Sequence, residues 1–238
     1  MTTTTHRARA AAAACAGLGL CAALAGTASG QINLIQDTRL IRAEAWAVNA
    51  SGTSISGPFE KSPLFGAAFS DSVQAGTSRI GASASASVLQ TSSIAAGEIL
   101  AQGSFSSSAL VTSGISASTR VANLLDLRFF LPTGATWQAQ GSSSGNAFFQ
   151  LYDASGTLVL SNLGFASGTV ASGGVFRLIA GDNANGQGGA SRPNGSSAFG
   201  GAYSLQFNAV PTPGPVALIG TFGLLAARRR RDHAPRRG

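Results

Sequence analysis

Histidine, cysteine and lysine are nearly missing from this 238-residue chain. The two histidines, His6 and His233, and the two cysteines, Cys15 and Cys21, lie close to the ends, and Lys61 is the only lysine. Between residues 31 and 209 there is neither imidazole nor thiol. Serine–histidine–acid and cysteine–histidine catalysis are therefore excluded for that stretch, as are most zinc sites. No disulfide can form there either, so its roughly 180 residues must be held by their own packed core, which one domain of that length can supply. Tryptophan and tyrosine are scarce too. Trp46, Trp137, Tyr152 and Tyr203 would make a sugar-stacking platform only if Trp137 met Tyr152 or Tyr203 on one exposed face.

Charge is sparse in the middle and concentrated at the ends. The net charge is +7. Arg7 and Arg9 supply two positive charges, and the six arginines after Ala209 less Asp232 supply five, which accounts for all of it. Residues 31–209 hold eight bases and eight acids, scattered singly. No basic stripe exists to follow a phosphate backbone, so a nucleic-acid partner is not expected.

The two ends carry addresses. Residues 1–30, MTTTTHRARAAAAACAGLGLCAALAGTASG, combine a basic start, an alanine- and leucine-rich stretch and small residues near Ala28 and Gly30. This is the pattern of a secretory signal peptide, with Gln31 as the new N-terminus. Leu20 is too bulky to precede a lipid-bearing cysteine, so Cys21 is not expected to carry lipid. At the other end, VPTPGPVALIGTFGLLAARRRR occupies 210–231. Its apolar stretch, 216–227, would be roughly 18 Å long as a helix against a hydrocarbon layer of about 30 Å, too short to span well unaided. Arg228, Arg229, Arg230 and Arg231 would hold it from the cytoplasmic side. Pro211, Pro213 and Pro215 would keep the preceding peptide extended.

A Val210-Pro211-Thr212-Pro213 motif, a short apolar helix and an arginine cluster, in that order behind a signal peptide, resemble the PEP-CTERM sorting signal of exosortase substrates. Thr212 stands where the family usually has glutamate. The resemblance covers about 22 residues. It implies transient inner-membrane association through the C-terminal helix, cleavage near the proline motif by an exosortase-type membrane cysteine protease, and delivery to the cell surface or extracellular space, often in an exopolysaccharide-producing bacterium. Residues 232–238 would be a basic cytoplasmic tail.

The middle reads as strands with turns of glycine, serine and asparagine. Alternation marks 82–88 (ASASASV) and 104–118 (SFSSSALVTSGISAS), with Phe105, Ala109 and Val111 on one parity. Residues 121–131 (VANLLDLRFFL), 175–180 (VFRLIA) and 202–210 (AYSLQFNAV) are further strands, and no long amphipathic helix appears. In 146–160 two apolar runs flank Asp153-Ala154-Ser155-Gly156, a hairpin with Gly156 at the positive φ and Asp153 bonding its own turn. Phe129, Phe130, Phe148, Phe149, Leu151, Val159, Phe176, Leu178, Leu205 and Phe207 are the expected core. Residues 181–201 read as a long loop. Its DNANG has Ala184 and Gly186 where a calcium loop needs oxygen donors, so no metal site is assigned there. The stretch 121–207, with its LYDASG hairpin and closing AYSLQF strand, is similar to the bacterial pre-peptidase C-terminal domain, which implies a jelly-roll-like β-sandwich for domain 31–209.

The acids Asp37, Glu44, Glu60, Asp71, Glu98, Asp126, Asp153 and Asp182 leave paired-carboxylate chemistry formally open. Their scatter is that of an ordinary surface complement, and neither enzyme activity nor a cofactor is expected. The expected function is that of an exported structural or adhesive surface protein, with a carbohydrate-binding module acting on exopolysaccharide as the alternative.

Overall fold

Side chains that alternate between small apolar and polar cannot bury one face of a helix but do bury one face of a sheet. The computed structural model describes residues 31–182, 187–190 and 194–210. All of its regular elements are strands: β1 (Asn33–Asn49), β2 (Gly52–Lys61), β3 (Phe69–Arg79), β4 (Ala82–Ile94), β5 (Glu98–Val111), β6 (Ser116–Leu131), β7 (Thr136–Gly145), β8 (Ala147–Tyr152), β9 (Leu158–Ser161), β10 (Leu163–Thr169), β11 (Gly174–Asp182), β12 (Gln187–Ala190) and β13 (Gly195–Val210). The signal segment 1–30, Pro211, Thr212, Pro213, the apolar helix 216–227 and Arg228 to Arg231 lie outside the described residues. Among the described residues no helix is long and apolar enough to cross a membrane.

Two antiparallel sheets form a β-sandwich. The first runs β2-β1-β6-β11-β8-β9, with β12 also pairing β6, and the second runs β10-β7-β13-β5-β4-β3. Strand β6 is central to the first sheet. It pairs β1 from Ser116 to Phe130 on one side, and β11 and then β12 on the other. Beyond β6 the chain passes repeatedly between the sheets, so strands distant in sequence become neighbours.

The core changes character along its length. At one end Phe129 and Phe207 meet edge to face with ring centroids 4.8 Å apart, and Trp137 packs on Phe176 at 5.6 Å and on Phe207 at 6.0 Å. Where β1 faces β3 and β4 many buried side chains are small: Ala43, Ala45 and Ala47 on β1, Ala75 on β3, and Ala82, Ala84 and Ala86 on β4. With so little side chain between them, Cα atoms of β1 come within 8 Å of those of β3 and β4, closer than the usual spacing of about 10 Å.

Several expectations change in detail. The run 104–118 is not one strand: it turns at residues 112–115 between β5 and β6, where Thr112, Ser113 and Gly114 all donate backbone hydrogen bonds to the Gly81 carbonyl. The loop expected over 181–201 is largely strand. Residues 181 and 182 continue β11, β12 pairs β6, and Gly195 already pairs Val111. Phe129, Phe149, Leu151, Phe176, Leu178, Leu205 and Phe207 are buried, whereas Phe130, Phe148 and Val159 are only half-buried. Phe130 and Phe148 neighbour buried phenylalanines, and alternation along a strand sends one of each pair outward. Trp137 and Tyr203 are buried and Tyr152 half-buried, so Trp137 shares no exposed face with either tyrosine.

Candidate functional site

Of the sorting motif, Val210 is described. It is the last residue of β13, pairs Thr136 of β7 and accepts a hydrogen bond from the Thr136 hydroxyl on its carbonyl. The preceding residue, Ala209, is buried and its N–H donates to the Gly97 carbonyl. The folded body thus runs to the first residue of the motif.

The eight carboxylates are spread over the molecule and most are committed to structure. Asp37 holds Arg39 through two hydrogen bonds of 2.5 and 2.7 Å, with both side chains essentially free of solvent, and it also accepts from the Gly66 N–H. Glu44 takes the guanidinium of Arg42, whose proton affinity this bond raises, and lies 3.8 Å from that of Arg120. Glu60 lies 3.7 Å from Arg42. Lys61 pairs with Asp71 and holds its carboxyl below the usual range. Asp126 binds Arg177 at 2.7 and 3.0 Å. Asp153 accepts from the Ser155 hydroxyl and from the N–H groups of Ser155 and Thr157, which together hold its carboxyl low; it closes the hairpin as expected, with Gly156 at φ +80°. Among the described residues no cluster of three or more acids, histidines or cysteines is placed to hold a metal ion.

A polar cluster crosses the interior where the sequence pattern showed only strands. Gln90 of β4, Asn123 of β6 and Tyr203 of β13 are all buried. The Gln90 amide donates to Asn123 Oδ1, the Leu124 carbonyl and the Tyr203 hydroxyl, and that hydroxyl donates to Asn123 Oδ1 at 3.1 Å. Gly103 makes the space, since a Cβ there would stand 2.6 Å from the Asn123 amide nitrogen. Burial pushes the Tyr203 phenol far above its usual range. It also raises the carboxyl of Asp182, which accepts from the Asn123 N–H through Oδ1 and leaves Oδ2 buried without a partner. The cluster ties the sheets together in register, since its donors are satisfied only in that alignment.

The outward face of the second sheet is the more open surface. Its strands present alternate residues: Ser83, Ser85 and Ser87 on β4, Gln102, Ser104, Ser106 and Ser108 on β5, Gln138, Gln140 and Ser142 on β7, Ser204 and Gln206 on β13. Ser85 bonds Ser108 and Ser87 bonds Ser106 across the β4–β5 pair. Glu98 is the one ionisable side chain among the described residues of that face. Leu163, Ser142, Ser204, Gln102, Thr91 and Ser70 stand in register across all six strands. The neighbouring row is Phe165, Gln140, Gln206, Leu100 and Ser93. Between these rows lies an open groove of about 550 Å³, within the range of about 300–1,000 Å³ usual for ligand sites.

One relay sets the polarity of that groove. Glu98 can only accept, so Gln206 turns its amide nitrogen to it at 2.9 Å and its carbonyl to Gln140, whose amide nitrogen donates at 2.9 Å. The Gln140 carbonyl is left without a partner among the described residues. Sequence reading missed this site. The alternating polar residues were visible, but the pairing of β7 with β13 and of β13 with β5, which gathers them into rows, brings together relay residues 66 and 108 positions apart.

No protein-family model, no curated protein and no solved structure matches the chain.

Proposed function

We propose that this chain is an exported cell-surface or extracellular-matrix protein with a structural or adhesive role. Residues 1–30 would carry it out. Val210, Pro211, Thr212 and Pro213, with Arg228 to Arg231, would present it to an exosortase-type membrane protease, as their resemblance to a PEP-CTERM signal suggests. The observation that carries this reading is a coincidence of boundaries. The compact unit is Gly30–Val210 and its strands run from Asn33 to Val210, so cuts after Gly30 and beyond Val210 would free every strand of the folded body, with the charge excess of both ends removed. The repeated passage of the chain between sheets after β6 supports a jelly-roll-like sandwich. A non-enzymatic role is supported by the engagement of most acids in ion pairs or turns.

The test is fractionation of cells expressing the full chain and a variant with Arg228 to Arg231 replaced by serine. Without the cytoplasmic charges the short apolar segment should slip through the membrane, and uncut protein should appear in the medium. Unchanged location and processing of the variant would overturn the sorting reading. The carbohydrate-binding alternative is favoured by one observation, the uncharged groove on the second sheet.

A further inference from the structure

We propose that this groove binds an uncharged polysaccharide chain, with the Gln140 carbonyl as a central acceptor. The inference rests on the adhesive reading above and names what the surface adheres to.

Charge comes first. The side chains lining the groove include glutamine, serine and threonine but no ionisable group. A carboxylate or sulfate ligand would lose water there with no cation to compensate it. A sugar hydroxyl both donates and accepts, which is what amides and hydroxyls can match. Because the relay from Glu98 through Gln206 engages one amide N–H of Gln206 and one of Gln140, the Gln140 amide is held in a set orientation that leaves its carbonyl to receive a ligand hydroxyl. That acceptor is oriented before any ligand arrives, so little ordering is lost on binding.

Shape supplies the rest. Leu100 and Leu163 border the polar floor and are 38% and 78% exposed, and Phe165, opposite Gln140, is 61% exposed; together they offer apolar contact to the C–H faces of sugar rings. The lining row from Leu163 to Thr91 crosses five strands, a distance of about 19 Å at the usual strand spacing. The groove is open to solvent along this row. A linear chain fits it better than a single ring.

The experiment is an array of neutral and acidic glycans probed with the full-length chain, followed by titration with the best ligand. Two variants accompany it: Gln140→Leu, which removes the free acceptor, and Leu163→Asp, on an exposed position where the sheet tolerates a charge. The expected result is binding to neutral glycans, weakened roughly three- to tenfold by Gln140→Leu, in line with the loss of one hydrogen bond. Leu163→Asp should weaken it comparably, with the circular dichroism of both variants unchanged. Capture of acidic glycans only, or affinity for neutral ones untouched by both variants, would overturn the proposal while leaving adhesion standing. No glycan bound, with the protein still retained at the cell surface, would do the same. Loss of both glycan binding and surface retention would overturn the adhesive reading as well.

Discussion

At the scale of single residues, the aromatic side chains at one end of the core make the clearest stability test. Phe207 is fully buried and touches Phe129, Trp137 and Phe176. Phe207→Ala should cost about 3–5 kcal/mol, since rings held on separate strands cannot fully collapse into the space left between Phe129, Trp137 and Phe176. Urea titration of the purified chain measures it; a loss below 1 kcal/mol would mean the aromatic end is not closely packed. Asp182 gives a pH-dependent test. Burial raises its pKa in the folded state, so folding favours the protonated form, and stability is lost as pH rises from the unfolded to the folded pKa. Asp182→Asn carries no charge and keeps an oxygen for the Asn123 N–H. It should be more stable than the parent at neutral pH, with the difference shrinking toward pH 4 in parallel melts. A difference that grows in acid would contradict the sign. The Asp153 turn was readable in the sequence because its bonds close within four residues. The Gln90–Asn123–Tyr203 cluster was not, because it joins positions 33, 80 and 113 residues apart and each looks like an ordinary strand residue alone.

At the scale of elements, local signals located β4, β5, β6, β8, β9, β11 and the end of β13, whereas β1, β2, β3, β7, β10 and β12 were not marked in the sequence. Alternation in ASASASV and in AYSLQFNAV marks β4 and the end of β13 because one face of each is buried. Strand β12, QGGA, has no apolar alternation; it is a strand only because β6 offers it an unpaired edge beyond the end of β11. The turn at 112–115 was hidden in a run that alternates on both sides of it. That turn depends on Gly81, which has φ +78° and whose carbonyl receives three N–H groups from 112–114. A Cβ at Gly81 would also stand 2.5 Å from the Gly114 nitrogen. Gly81→Ala should therefore destabilise by about 1–3 kcal/mol, the cost of a strained backbone conformation, with a melting point several degrees lower. An unchanged melting point would mean the β3–β4 and β5–β6 turns are not coupled.

At the scale of the whole molecule, a neutral sandwich without disulfides is flanked by segments that hold all the net charge. The body ends at Val210, where the proline motif begins. The division into ends and body was legible because it is a matter of composition, which needs no pairing to read. The groove and its glutamine relay became visible only when β7, β13 and β5 were placed side by side. If the tail is a temporary stop, the membrane-held precursor should be short-lived and the protein at the surface should end near the proline motif. Mass spectrometry of the C-terminal peptide from surface and secreted material tests this most directly. The account predicts mature chains ending close to Pro211–Pro213 and lacking Arg228 to Arg237; mature chains that retain those arginines would contradict it.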